Sequence, residues 1–191
     1  MINKLIKLVS IFKRRAKYRK VSFSFNAVDL IVDYIFKDQI QGIYMDIGSQ
    51  HPISNNNTYL LYKRGWNGIN IDLDKKNIDL FNISRPSDIN LNYAISDTNE
   101  YTNLYFYHDS SPINTLNKNV SDYQKATVKK IKKIETHTLD SILKKIDFKK
   151  KLDYMNIDVE GYENRVLEGF DISKYKPNVV SVEYLDLKMK N

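Results

Sequence analysis

The sequence predicts an α/β fold with a mostly parallel, doubly wound sheet. Short apolar runs alternate with helical stretches in the order strand, helix, strand, helix, strand. Acidic residues close or follow four of the apolar runs, at Asp46, Asp72, Asp97 and Asp158. In open sheets of this kind, ligands bind outside the carboxyl ends of the strands. Four carboxylates at such ends are hard to assign to core packing, because a buried ionised carboxylate is costly unless paired.

Asn26 is read as the cap of a helix through residues 27–36 (AVDLIVDYIF), which ends before Gly42. IYMDI (43–47) is a short apolar run ended by Gly48 and reads as a buried strand. Residues 56–64 form a helix with Gly65 as its stop. GINIDLD (68–74) is the second strand, and residues 75–83 a helix that stops before Arg85-Pro86. INLNYAIS (89–96) is the third strand. NLYFYH (103–108) and residues 128–137 read as strands around a polar loop, SSPINTLNKN. Thr138 caps a short helix, LDSILKKI. LDYMNIDVEG (152–161), YENRVLEG and VVSVEY (179–184) then give strand, helix and strand.

Composition removes several chemistries. With 191 residues and 42% apolar content the chain can bury a core, and no apolar run approaches the ~18 residues of a spanning helix. The absence of cysteine excludes disulfides, cysteine metal sites and thiol nucleophiles. The formal net charge is +7, but residues 1–20 alone carry eight Lys and Arg and no acid, so the other 171 sum to −1. Apolar residues recur there at Ile2, Leu5, Ile6, Val9 and Phe12, a helical spacing. Two readings stand: a helix packed on the domain through that stripe, or a basic amphipathic helix on an anionic membrane surface. The chain is divided into this segment (1–25) and a ligand-binding domain (26–191). A near-neutral body is not expected to bind nucleic acid. A cytoplasmic location, peripheral to a membrane on the second reading, is the expectation.

The six glycines give neither G-x-G-x-x-G nor G-x-x-x-x-G-K-[ST], so a pyrophosphate lacks its usual cradle. Gly48 still lets a ligand approach the backbone, and an acid ending strand two can accept from a ribose diol. Acids around the first loop suit a cationic ligand. Together these point to S-adenosylmethionine, which carries a sulfonium, an amino group and a ribose.

Five ordered blocks also resemble the FkbM-type methyltransferase family: residues 45–74, RPSDINLNYAISD (85–97), THTLDSIL (136–143), YMNIDVEGYENRVLEGFD (154–171) and PNVVSVEY (177–184). The resemblance implies a Rossmann-like S-adenosylmethionine-dependent O-methyltransferase, of a family often linked to hydroxyls of glycans or natural products. It places Asp46, Gly48 and Ser49 at the methionine end of the cofactor, Asp72 and Leu73 at the ribose, and Ser96 and Asp97 near adenine. It sets Asp158, Glu160, Gly161 and Glu163 beside the reaction centre. The implied sheet is short of its last strands, because only seven residues follow VVSVEY.

Methyl transfer to an alcohol needs an aligned acceptor and a proton acceptor. Asp158 is the first candidate for base or acceptor positioning, and its other reading is a cap on the next helix. Glu160 and His51 are further catalytic candidates. Glu183 faces either the site or solvent. His108 opens a loop that could cover the acceptor, His137 is expected to be exposed, and Arg85 and Lys76 read as surface charge. No His or Cys spacing calls for a metal. The acceptor and the oligomeric state are not legible at this level.

Overall fold

The computed structural model describes residues 5–7, 9, 10, 13, 20–124 and 126–184. Its centre is a five-stranded parallel sheet of β1 (Ile43–Ile47), β2 (Asn67–Asp72), β3 (Ile89–Asn92), β7 (Tyr154–Ile157) and β8 (Val179–Val182). The spatial order is β3-β2-β1-β7-β8. The order reverses between β1 and β7, which is where an open α/β sheet leaves a crevice at its carboxyl edge. β1 pairs with β2 through Asp46↔Asn70 and with β7 through Asp46↔Asn156. Among the described residues the sheet ends at β8.

The helices are α1 (Val28–Ile35), α2 (Tyr59–Lys63), α3 (Lys75–Ser84), α4 (Lys118–Tyr123), α5 (Leu139–Lys145), α6 (Glu163–Glu168) and α7 (Ile172–Tyr175). Met45, Ile47, Ile69, Ile71, Met155 and Ile157 pack with Leu139, Leu143 and Val166 of α5 and α6 in one cluster. A second cluster sets Val32 and Phe36, on and after α1, against Tyr44, Leu61, Trp66 and Tyr154. The central strands β1, β2 and β7 are buried on both faces, whereas the edge strands β3 and β8 are partly exposed.

Three local expectations are corrected. The run 89–96 is two strands: β3 stays in the main sheet, while β4 (Ala94–Ser96) pairs with β6 (Lys130–Thr138) in a small second sheet, order β4-β6-β5. The antiparallel β5–β6 pair, with β5 at Tyr101–Phe106, completes it. Asn26 does not cap α1. Ala27 takes that place at φ 57°, and the buried Asp29 carboxylate accepts from Phe23 N (2.6 Å) and Ser22 Oγ (2.6 Å). The loop after β5 contains α4, started by Asn117, whose side chain accepts from Asn119 N. By contrast Thr138 caps α5 as its position implies, accepting from Ser141 N.

Candidate active site

A cavity of about 520 Å³ opens at the carboxyl ends of β1, β2, β7 and β8. That is within the ~300–1,000 Å³ common for small-molecule sites. Its floor includes Ile47, Gly48, Ile71, Asp72 and Asn156. Asp158, Val159 and Glu160 form one wall, and Ser181 and Glu183 extend it. Tyr93, at the junction before β4, lines it together with Ala94 and Ile95 of the second sheet, and Ser111, Pro112, Asn114 and Leu116 line it from the loop after β5. That loop was expected to cover the site, and it does reach the cleft. His108, at its start, does not: its ring contacts Asp109 O (2.9 Å) and is exposed.

The turn after β7 aims the carboxylates. Glu163 is buried, and its Oε1 accepts from Val159 N (3.1 Å) and Gly161 N (3.0 Å). Thr115 Oγ1 donates to Glu160 O (2.7 Å) and Asn117 Nδ2 to Gly161 O (2.7 Å). Clamped from both sides, Glu160 sits at φ 56°, a left-handed conformation costing on the order of 1–3 kcal/mol. Glu163 therefore builds the turn, while Asp158 and Glu160 face the cleft.

Asp158, Glu160 and Glu183 bring one carboxylate oxygen each to within 4.8 Å of the others. Burial and the charge of Glu183 push Asp158 up to about 8, and burial and Asp158 push Glu160 up to about 7. The Asp158 and Glu183 carboxylates lie together and act on one another, and Glu183 is also raised, chiefly by burial. Glu183 Oε2 is buried with no hydrogen-bond partner among the described residues. Three crowded acids that resist ionisation suit a cation, whether a divalent ion or an organic one.

The first loop is held from beneath. Asp72 Oδ2 accepts from Gln50 N (2.8 Å), and Oδ1 from Asp74 N (2.7 Å) and Asn77 Nδ2 (3.2 Å). Burial raises Asp72 to about 6 against these bonds. Among the described residues Oδ2 accepts from Gln50 N alone, which leaves its second lone pair without a donor. Gln50 (φ 49°) and Asn55 (φ 50°) line the cleft in left-handed backbone. Gly48 sits at φ 77°, and a Cβ there would lie 1.7 Å from Asp158 O. Gly48→Ala is expected to cost about 2–4 kcal/mol in urea unfolding, as overpacking adds to backbone strain.

Several predicted contacts are corrected. Asp46 is 1% exposed and lies below the cleft. Its oxygens accept from Asn156 Nδ2 (2.9 Å), Thr58 Oγ1 (2.9 Å) and Asn56 Nδ2 (3.1 Å), so it anchors the loop rather than a ligand. Ser49 is buried and does not line the cavity. Ser96 donates to Asp97 (2.8 Å), and Asp97 pairs with Arg165 (2.5 Å), so both turn away toward α6. His51 is no base candidate here: Nδ1 accepts from Ser54 N (2.9 Å) and Ile53 N (3.1 Å) in a local turn outside the cleft. His137 is half-buried against Tyr93, ring centroids 5.0 Å apart. Arg85 is not surface charge but fully buried, whereas Lys76 is exposed and pairs with Asp109 (2.6 Å). Gly48, Asp72, Leu73, Asp158 and Glu160 do line the cavity.

Asn156, Asn57 and Ser181 were not anticipated. Asn156 Oδ1 accepts from Asn57 Nδ2 (2.9 Å) and Ser181 Oγ (2.7 Å), joining the Asp46 network to the cleft wall. The signal for Asn156 and Ser181 is a polar residue inside a strand run, and Asn57, in the loop before α2, carries none.

An open parallel sheet with an acid-lined cleft at its reversal point defines the class of Rossmann-like α/β proteins with a ligand cleft at the carboxyl edge. The chain belongs to the FkbM methyltransferase family: the family described as methyltransferase FkbM domain matches residues 46–190. It is accordingly a methyltransferase, and methyl transfer requires a methyl donor. No curated protein and no solved structure matches it.

Proposed function

We propose that the chain is an S-adenosylmethionine-dependent O-methyltransferase acting on a hydroxyl of a saccharide or glycan precursor. The carboxylate trio of Asp158, Glu160 and Glu183 beside the cleft is the observation that carries it. Bound S-adenosylmethionine supplies an electrophilic methyl on a positively charged sulfur. Gly48 lets the turn after β1 close against Asp158 O at the cleft floor, and the second lone pair of Asp72 Oδ2 suits a ribose hydroxyl. Tyr93, Ala94, Ile95 and Leu116 offer the apolar flank a base needs. The acids balance the cationic charge, and the Asp158 carboxylate accepts the proton of the acceptor hydroxyl. The saccharide reading draws on Ser24, Asn26, Asn55, Asn57 and Ser181, hydrogen-bonding side chains around the cleft.

Calorimetry tests the cofactor. The wild type is expected to bind S-adenosylmethionine, and Asp72→Ala at least about tenfold more weakly, the worth of one hydrogen bond to a charged group. Asp72→Asn, which keeps the shape, is expected to fall between them. If neither wild type nor Asp72→Ala binds, or both bind equally, the assignment is wrong.

A further inference from the structure

We propose that residues 1–20 and the outward face of α1 form a docking surface for an anionic membrane, on which the chain lies without crossing it. The first observation is charge. Eight Lys and Arg and no acid fall in these twenty residues, while the rest of the chain sums to −1. The second is an open apolar stripe. Residues 5–7, 9, 10 and 13 are helical, and Leu5, Ile6 and Val9 share one face. They are 63%, 60% and 46% exposed, so at these positions the stripe is not packed on the domain. The other positions of the stripe, Ile2 and Phe12, lie outside the described residues.

The third observation is α1. Val32 is buried on its inner side, but Ile31, Tyr34 and Ile35 follow the i, i+3, i+4 pattern on its outer side and are all exposed. Phe25, Val21 and Ile40 are exposed as well. Among the described residues, nine of the eighteen large exposed apolar side chains thus fall within the first forty positions. Lys20 Nζ, at the end of the basic segment, lies 4.0 Å from Asp33 on α1. Phe25 and Val28 also line the cavity, so the surface borders the mouth of the cleft.

Apolar exposure combined with dense positive charge fits a lipid interface. Inserted side chains and anionic headgroups each bind weakly and together hold. A nucleic acid would use the charge but leave the stripe in water. Among the described residues no helix is long and apolar enough to cross a membrane, which agrees with a surface-lying mode.

The test is cosedimentation of the full chain with vesicles of phosphatidylcholine alone and of phosphatidylcholine with phosphatidylserine. Binding is expected to the mixed vesicles only, and to weaken with salt. Replacing Lys13, Arg14 and Arg15 together by Ala is expected to weaken it by about 100-fold, about fivefold per basic residue. Leu5→Ser with Val9→Ser is expected to weaken it at least about tenfold. Both variants should melt like the wild type, since they leave the packed clusters untouched. Failure to bind mixed vesicles overturns the proposal. So does equal binding to both vesicles, unchanged binding in either variant, or a uridine oligonucleotide binding as tightly as the mixed vesicles.

Discussion

Asp158→Asn is expected to lower kcat/KM for methyl transfer by about 10²- to 10⁴-fold, the usual worth of a positioned base. The same change should stabilise the folded chain at alkaline pH. Burial and Glu183 raise Asp158 from 3.8 to about 8, and Glu160 is raised from 4.5 to about 7. The folded state therefore holds protons that the unfolded chain has already released. That contribution is full below about pH 4 and is lost as pH rises through about 7 to 8. Wild-type stability should accordingly fall across this range, and asparagine, which cannot ionise, should remove part of the fall. At pH 9 a gain of at least about 1 kcal/mol, or roughly 2–4 °C in melting temperature, is expected. At pH 3, below the unfolded value, the difference should nearly vanish. Melting curves of both proteins at the two pH values test the stability half, and initial rates test the other. A helix cap would behave oppositely: Asp158→Asn would then leave the rate within about tenfold and lower stability. The wild-type rate should climb through about pH 7–8, as the Asp158–Glu183 pair gives up its shared proton. The profile reports the pair and not either residue.

Much of the fold was legible because its determinants are local. β1 falls on the apolar run 43–47, and α5 begins at Thr138, whose hydroxyl caps it. Apolar runs and caps act within a few residues of themselves. The split of 89–96 was not legible. Nothing local marks Tyr93, yet its N–H still donates to Asp72 O while Ala94 already pairs with Thr136, forty-two positions away. Ala27 could not be foreseen as the start of α1 either. The chain before α1 is held by Asp29, whose carboxylate takes Phe23 N and Ser22 Oγ six and seven residues back, so a competing local side-chain contact overrides the cap that Asn26 offered.

The site divides along the same line. Position at a strand end correctly brought Asp72 and Asp158 to the cleft, but it could not say which face of the loop each carboxylate serves. Asp46 sits one residue before the end of β1, pointing below the sheet edge into Asn56, Thr58 and Asn156. Asp158 follows the last residue of β7 and faces the cavity. In the register that pairs Asp46 with Asn156, Asp158 stands opposite Gly48, two positions further along, so depth toward the carboxyl edge separates the two acids and strand alternation does not. Ser96 and Asp97 fail for a related reason. They end β4, which has left the main sheet, so the cavity meets Tyr93, Ala94 and Ile95 instead. Glu183 was open between site and solvent. Its place after β8, next to β7, puts it against Asp158.

Arg85→Met is expected to cost about 3–5 kcal/mol of stability, as breaking a buried ionic network does. Read in isolation this arginine sits after a helix and before a proline, an ordinary surface position. In the fold it is wholly inaccessible, and its guanidinium lies 5.0–6.0 Å from the ring centroids of Phe81, Tyr62, Tyr59 and Tyr44. Its fork reaches Pro52 O from Nε (3.0 Å) and Nη2, Asn56 Oδ1 from Nη2 (2.7 Å), and Thr58 Oγ1 (2.9 Å) and Tyr44 Oη (3.3 Å) from Nη1. These acceptors belong mainly to the loop that carries Gln50, Asn55 and Asn57 to the cleft. Its charge also lowers Asp46, which burial raises, so it is the countercharge of an inaccessible acid. Lysine offers three donors from a point and cannot reproduce that fork, so Arg85→Lys should recover little. The penalty has a pH signature. Without Arg85 the pKa of Asp46 rises further, so the loss is present above that value and shrinks as pH falls through it. Urea unfolding at pH 8 and pH 5 should show the larger loss at pH 8. Arg85→Met combined with Asp46→Asn should lose less than the two single losses together, by about 0.5–3 kcal/mol. A strictly additive double variant would mean that the two charges do not act on one another.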